Sequence, residues 1–174
     1  MKNKTLNFEG NFIASEMIIS NPEFFDKKGN LLITSIGGIA DFRNWSGSAD
    51  NLTSIGGSAY FRNWSGSADN LTSIGGIADF RNWSGSANNL TSIGGSAYFR
   101  NWSGSAKKIF KLYKFSEEIG SRNAICLFEK KTKEYRTGCF CGNAKKLIES
   151  VNNRHLNNEK YRNQYLEFIK QCEN

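Results

Sequence analysis

Apolar residues recur every 19 positions over residues 31–106, with the same residue types each time. Each unit has the form SIGG-x-A-x-F-RNWSGSA-x-N-L-T. Three of its apolar columns are Ile36, Ile55, Ile74 and Ile93; Phe42, Phe61, Phe80 and Phe99; and Trp45, Trp64, Trp83 and Trp102. The residues on either side of the repeated Ala alternate between Ile/Asp and Ser/Tyr in successive units, which doubles the period to 38 residues. This alternation indicates duplication of a pair of units.

The unit predicts one coil of a β-solenoid. It is shorter than the ~34–45 residues of a helix pair or propeller blade, and it lies just under the leucine-rich range of ~20–29. Residues around Ala40 and Phe42 alternate with period 2, and Gly-Gly and Ser-Gly supply the corners. One coil cannot bury its apolar face alone, so coils must stack. We therefore expect a mainly β protein with about four to five coils.

Stacking converts each repeated position into a column with one residue per coil. We expect Ala40 and Phe42, with their counterparts, to point inward beside the Ile and Leu columns. Asp41 and Arg43 have the opposite parity and are expected to point outward. Trp45 lies at a bend, where parity fails, and we place its column inward or in a corner because an exposed Trp ladder would promote aggregation. The repeated Asn residues are expected to form a ladder of bonded side-chain amides.

The flanks of the repeat differ from it. Residues 1–30 are interpreted as an N-terminal cap, with Ile13, Met17, Ile18 and Ile19 as apolar cover. The solenoid is expected to span 31–112, because Ile109 and Leu112 still align with the Leu and Ile columns.

Residues 113–174 predict a small α+β unit that closes the C-terminal end of the solenoid. A strand over 124–128, a polar turn over 130–133 and a return strand over 135–140 form a hairpin. Ala144, Leu147, Ile148 and Val151 then fall on one face of a helix. A second helix carries Tyr161, Tyr165, Phe168, Ile169 and Cys172, with Asn157 or Asn158 as its N-cap.

The positive charge is concentrated in this C-terminal part. The chain has 174 residues and a net charge of +7, but residues 107–174 alone hold 15 basic and 8 acidic residues, which gives the same +7. This excess is either a solvated surface or a contact for RNA or an acidic protein, and it argues against DNA mimicry, which needs an acidic surface. The partner-binding candidates are Lys107, Lys108, Lys111, Lys114, Lys130, Lys131, Lys133, Arg136, Lys145 and Lys146.

The solenoid offers a second candidate surface in its arginine column. Four arginines about 4.8 Å apart repel one another unless they are offset. The face is therefore either balanced by Asp41, Asp79 and the tyrosines, or a polyanion-binding rail with interleaved aromatic rings. Its step does not match the ~3.4 Å phosphate rise of a duplex strand, which argues against duplex DNA. The residues of this polyanion face are Arg43, Tyr60, Arg62, Arg81, Tyr98 and Arg100.

No cofactor, metal or catalytic residue is expected. Cys126, Cys139, Cys141 and His155 are the right types for zinc, but the spacing of Cys139 and Cys141 is not the usual one, and packing in a core is the favoured interpretation. A thiol nucleophile at Cys139 with His155 as base lacks an orienting acid. With no apolar run of membrane-spanning length and no secretory signal, we expect a cytoplasmic protein with reduced thiols.

The repeats and the tail together resemble a group of phage- and prophage-borne β-solenoid proteins. The resemblance lies in the repeats of LTSIGG…A.F type and in an RTGCF.G hairpin, a helix, a lone His and a Y…Y..FI helix. The matching tail residues are Arg136, Thr137, Gly138, Cys139, Phe140, Gly142, Leu147, Val151, His155, Tyr161 and Ile169. The many Asn, Lys and Ile residues, which AT-rich codons encode, suit a prophage of a low-GC anaerobe. In that setting some small proteins are anti-CRISPR inhibitors.

Three hypotheses follow. The first is a non-enzymatic binding protein that docks on a bacterial effector nuclease or its guide RNA, as an anti-CRISPR inhibitor does. The second is a solenoid that associates with itself as a structural scaffold. The third is a zinc- or thiol-dependent enzyme, which the residues support least.

Overall fold

The computed structural model describes residues 6–174, and the chain divides into two compact units. The first unit comprises the residues up to Gly94 together with Tyr98–Ile109, and the second comprises Gly95–Ala97 and Phe110–Asn174. No helix among residues 6–174 combines the length and the apolar character needed to cross a bilayer.

The repeats form a β-solenoid in a mainly β chain, which confirms that part of the predicted fold class. Short strands of two residues pair in parallel with the strands 19 residues away, Ile36 with Ile55 and Ala59 with Ala78 for example. They build two five-stranded sheets, in the orders β1-β3-β5-β7-β9 and β10-β8-β6-β4-β2. The strands are β1 (Asn7–Phe8), β2 (Phe12–Ile13), β3 (Ser35–Ile36), β4 (Ala40–Asp41), β5 (Ser54–Ile55), β6 (Ala59–Tyr60), β7 (Ser73–Ile74), β8 (Ala78–Asp79), β9 (Ser92–Ile93) and β10 (Ala97–Tyr98).

Aromatic columns fill the interior of the solenoid. Phe42, Phe61 and Phe80 are fully buried, and their rings stack at centroid distances of 5.6 and 5.2 Å. The tryptophan column is buried beside them, since Trp64 and Trp83 are 0% exposed and lie 5.8 Å apart. The inward placement of both columns is thus confirmed, and it hides indole surface that would otherwise be an aggregation hazard.

Asparagine makes the bend before each tryptophan. Asn44, Asn63, Asn82 and Asn101 all have a left-handed backbone, with φ between 52° and 57°. Asparagine tolerates this conformation better than most residues. The amide of Asn82 donates to Asn63 at 3.0 Å, and that of Asn101 to Asn82 at 3.1 Å, which confirms the predicted ladder.

The stacking begins before the repeats, within the segment interpreted as a cap. Strand β1 pairs with β3 and strand β2 with β4, so the N-terminal segment adds a strand to each sheet. Helix α1 (Ala14–Ser20) and a 3-10 helix (Pro22–Phe24) follow. The expectation that Ile19 provides apolar cover is wrong, because its side chain is 83% exposed. Phe12 and Phe25, which are 0% and 7% exposed, are the buried rings of this segment.

The repeat pattern is replaced by a helix over residues 107–112. This segment forms α2 (Lys107–Leu112), in which Ile109 is buried but Leu112 is 40% exposed. The Gly-Gly corner and the asparagine bend are missing here, and Lys and Leu are good helix formers. The alignment of Ile109 and Leu112 with the apolar columns was therefore not sufficient to predict another coil.

The second unit contains a four-stranded antiparallel sheet in the order β11-β12-β13-β14. Its elements are β11 (Tyr113–Ile119), β12 (Ala124–Glu129), β13 (Glu134–Thr137), β14 (Phe140–Gly142), α3 (Ala144–Arg154) and α4 (Glu159–Glu173). The hairpin and both helices match the sequence prediction. Strand β11 was not foreseen, and the return strand is split because Gly138 adopts a left-handed backbone with φ 56°.

The helices cover one core with the sheet. Cys126, Phe128 and Tyr135 from the strands are buried against residues of both helices, which are Leu147, Val151, Phe168 and Ile169. The Tyr135 hydroxyl donates to Glu173 at 2.9 Å. Burial first, and this hydrogen bond second, raise the pKa of Tyr135 above its ordinary value.

Candidate functional site

The C-terminal unit gathers lysines at one end of its sheet. Strand β11 begins opposite the end of β12, since Tyr113 pairs with Glu129, and Glu129 pairs with Glu134 at the start of β13. Strand β14 ends opposite Tyr135, so helix α3 begins at the same end. We call this the lysine end, and its members are Lys111, Lys114, Lys130, Lys131, Lys133, Lys145 and Lys146.

Three of these lysines also make internal contacts. The ammonium group of Lys130 donates to the carbonyl oxygens of Phe110 and Lys111, at 3.3 and 3.1 Å, which satisfies groups at the end of α2. The Lys114 ammonium donates to the carbonyl of Gln171. The Lys133 ammonium lies 5.5 Å from the centroid of the Phe128 ring. These side chains are held in place by the fold as well as being available to a partner.

Arg136 is engaged inside the sheet. Its guanidinium lies 3.3 Å from a carboxylate oxygen of Glu129 and 3.9 Å from one of Glu134. These two carboxylates, together with Glu173 at the end of α4, reduce the positive charge of the lysine end. Arg136 is therefore less suited to a partner contact than the neighbouring lysines.

The unengaged positive groups of this end are Lys111, Lys131, Lys145 and Lys146. All four are exposed, and none of their ammonium groups forms a hydrogen bond or ion pair within residues 6–174. Asn143 caps the helix on which two of them lie, accepting a hydrogen bond from the Lys146 amide at 3.1 Å. Lys107 and Lys108 are also exposed, but they belong to the first unit.

The arginine face of the solenoid is largely satisfied by its own charges. Arg43 forms a bidentate pair with Asp41, and Asp79 accepts from both Arg81 and Arg62, at 2.6 and 3.3 Å. Among the tyrosines of this face, Tyr60 lies under the guanidinium of Arg43 at 5.7 Å. Tyr98 lies under that of Arg81 at 5.4 Å. The rings therefore stack on arginines that already have an aspartate partner.

The aspartates of this face are buried, although strand parity predicted that Asp41 points outward. Asp41 is 8% and Asp79 2% exposed. Burial disfavours the charged form of Asp79, but the hydrogen bonds and charge of Arg81 and the charge of Arg62 outweigh it, so the pKa of Asp79 is lowered. The face is a network of ion pairs, which limits the charge it can offer to a polyanion.

The cysteines do not meet around a metal. Among residues 6–174 no group of three or more His, Cys, Asp or Glu side chains could hold a metal ion. Cys126 is buried, whereas Cys139 and Cys141 are exposed at the turn and in β14. Core packing is thus correct for Cys126 and wrong for the other two, because Gly138 turns the chain before Cys139.

A pocket at the opposite end of the same sheet was missed by the sequence reasoning. It has a volume of about 340 Å³ and lies where the β11–β12 turn meets the α3–α4 junction. Its lining residues are Ser121, Arg122, Arg154, His155, Asn158, Tyr161 and Tyr165. Only His155 stands out in the sequence, as the single histidine of the chain. The arginines carry no motif, because they come together only through the sheet register and the helix turn.

No protein-family model, curated protein or solved structure matches the chain.

Proposed function

We propose that the chain is a non-enzymatic, prophage-type binding protein that acts in the bacterial cytoplasm as an anti-CRISPR inhibitor. In this proposal the lysine end docks on an acidic surface of a CRISPR effector nuclease or on its guide RNA. The solenoid, with its four to five coils closed by residues 113–174, serves as the rigid support. The resemblance of the repeats and the RTGCF hairpin to phage-borne proteins is part of this argument.

The observation that carries the proposal is the convergence of lysines from three separate elements. The start of β11, the β12–β13 turn and the first turn of α3 all place ammonium groups at one end of one sheet. Like charges repel, so such a cluster costs stability unless a partner of opposite charge offsets it. On the polyanion face of the solenoid, Arg43, Arg62 and Arg81 are already paired with Asp41 or Asp79, which reduces the charge that the face offers to a partner.

The test is a charge-reversal variant. K131E/K145E/K146E changes three exposed groups, and the two new glutamates in the first turn of α3 favour the helix dipole, so folding should be retained. K27E/K28E/K160E is the matched control, with the same change in charge at three exposed lysines outside the lysine end.

The measurement is retention of a purified CRISPR effector ribonucleoprotein on the immobilised chain, with and without ribonuclease. We expect the wild type and the control to retain the effector and the variant to lose it, and we expect retention to fall steeply with salt. Loss after ribonuclease identifies guide RNA as the contact, whereas persistence identifies the nuclease surface. No retention by the wild type, together with no effect on phage plating, would contradict the proposal.

A self-associating scaffold is the second candidate. The observation that favours it is the pair of parallel sheets, because an edge strand can pair with a strand of another chain. It predicts assemblies that grow with concentration in sedimentation velocity. A monomer that persists at high concentration rejects it.

A further inference from the structure

The pocket in the C-terminal unit is built by three elements: a turn, and two helices that follow much later in the sequence. The β11–β12 turn contributes Ser121 and Arg122, the end of α3 contributes Arg154 and His155, and α4 contributes Tyr161 and Tyr165. The backbone holds this corner closely, since the Gly120 amide donates to the side chain of Gln164 at 2.9 Å. A methyl group at Gly120 would lie 2.5 Å from the Tyr165 hydroxyl, so the turn packs directly on that ring.

The pocket is positively charged and carries no acidic lining residue. Within residues 6–174 neither Arg122 nor Arg154 has a recorded ion pair. Burial raises the pKa of Tyr165, whereas a hydrogen bond with Thr137 and the charges of Arg154 and Arg122 lower it, so both guanidinium groups act on the Tyr165 hydroxyl. The nearest acid of α4, Glu159, is an exposed first-turn residue that lies 4.0 Å from Arg162. Two guanidinium groups without an acid partner form a ready site for an anion.

Helix α4 adds to this field. It has 15 residues and begins at the pocket, where Asn158 caps it by accepting from the Tyr161 amide at 3.1 Å. The positive end of its dipole therefore faces the same space as the two arginines.

Aromatic faces border the charged region. His155 stacks on Tyr165 with ring centroids 5.9 Å apart and an interplanar angle of 16°. Tyr161 meets His155 edge-on at 5.7 Å. A flat ring entering the pocket can stack on such surfaces and on guanidinium planes, as nucleobases do on proteins that bind them.

We propose that this pocket binds the terminal phosphate of a nucleotide, with the phosphate on Arg122 and Arg154 and the base against the His155 and tyrosine rings. A volume of about 340 Å³ exceeds what a lone anion needs and falls within the range of small-molecule sites. The nucleotide is either free or the 5′ end of an oligonucleotide. This inference does not rest on the proposed function, because the pocket and the lysine end lie at opposite ends of the sheet.

Calorimetry on the full chain can test the inference with five probes: adenosine 5′-monophosphate, adenosine, inorganic phosphate, a short RNA with a 5′-phosphate, and the same RNA with a 5′-hydroxyl. We expect the monophosphate to bind at least about 10-fold more tightly than adenosine or phosphate alone, since it uses both halves of the site. If the 5′-phosphorylated RNA binds more tightly than both the free nucleotide and the 5′-hydroxyl RNA, the source is an RNA end; if the 5′-phosphate adds nothing to RNA binding, or the phosphorylated RNA binds more weakly than the free nucleotide, the source is the free nucleotide.

The variant R122Q/R154Q removes both guanidinium groups at exposed positions. It should weaken binding of the monophosphate by at least about 10-fold, because hydrogen bonds to charged groups are strong. K27Q/K160Q is the matched control, with the same loss of charge outside both the pocket and the lysine end, and it should stay within about twofold of the wild type. Circular dichroism confirms that each variant is folded.

The single histidine provides a second, site-specific readout. The imidazole C–H signals of His155 are unique in the proton spectrum and should shift as the monophosphate is added. Equal weakening by the variant and the control would overturn the inference in favour of general charge attraction. Binding of adenosine as tight as that of the monophosphate, or an unchanged His155 signal at saturation, would also overturn it.

Discussion

Replacing Phe61 by alanine should remove the central ring of the solenoid core. Phe61 is fully buried, and its ring stacks between those of Phe42 and Phe80 at 5.6 and 5.2 Å, nearly parallel to both. It also stacks on Trp64 at 5.4 Å and on Trp83 at 5.3 Å. The substitution therefore leaves four aromatic rings facing a cavity.

The expected loss follows from how little the cavity can close. Phe-to-Ala changes in cores cost about 3–5 kcal/mol, and the cost rises when the surroundings cannot relax. Here the backbone is tied to the neighbouring repeat, since the Phe61 amide donates to the Asp79 carbonyl at 2.8 Å. We expect the upper half of that range, about 4–5 kcal/mol. With a urea slope near 2 kcal/mol/M, the unfolding midpoint should fall by about 2 M.

Tryptophan fluorescence in urea is a selective assay for this change. All four tryptophans lie in the first unit, so their emission reports the unfolding of the solenoid and not of the C-terminal unit. The control is Y60A at the adjacent, half-buried position, whose ring lies under Arg43 and should cost no more than about 1 kcal/mol. A loss below about 2 kcal/mol for F61A, or one equal to that of the control, would refute a core held by stacked rings.

Three further experiments test other parts of the structure. Because the pKa of Asp79 is lowered in the folded chain, its ion pairs contribute stability above pH 4, and this stability is lost as the pH falls through the folded pKa. D79N should cost about 1–2 kcal/mol at pH 7, a modest loss because the arginine partners of Asp79 are more than one third exposed. The variant should also show a smaller change in urea midpoint between pH 6 and pH 3 than the wild type. G66A should lower the thermal midpoint in calorimetry, because its methyl group would lie 2.1 Å from a backbone carbonyl of the preceding repeat; an unchanged midpoint would refute that packing. In thiol titration of the native chain, Cys139 and Cys141 should react at once, whereas Cys126, whose pKa burial raises, should react only after unfolding.

The C-terminal unit shows where local patterns were sufficient and where they were not. The face of α3 and the cap of α4 follow from spacing and side-chain chemistry within one turn; the face was predicted, and of the two predicted caps, Asn157 and Asn158, the structure has Asn158. Strand β11 was missed because its residues Tyr113–Ile119 mix apolar and charged types without clean alternation. The exposure of Cys139 and Cys141 depends on the left-handed turn at Gly138, which no periodicity reports.

The candidate sites divide in the same way. The sequence could count the lysines, but only the register of the sheet shows that they come from three elements to one end. The arginine face was predicted from the repeat. The structure then showed that Arg43, Arg62 and Arg81 form ion pairs with Asp41 or Asp79. The pocket around Arg122 and Arg154 had no sequence signature, because strands β12, β13 and β14 and helix α3 separate the two arginines along the chain.

The stacked architecture follows from the repeat alone, because identical residues at a fixed period force identical neighbours to lie above one another. That constraint places the Phe, Trp and Asn columns whatever the details of each coil. Which charged side chains form ion pairs and which remain exposed depends on the three-dimensional fold. Ion pairs and pockets depend on distances of a few ångströms between residues far apart in the chain, and spacing along a sequence does not encode those distances.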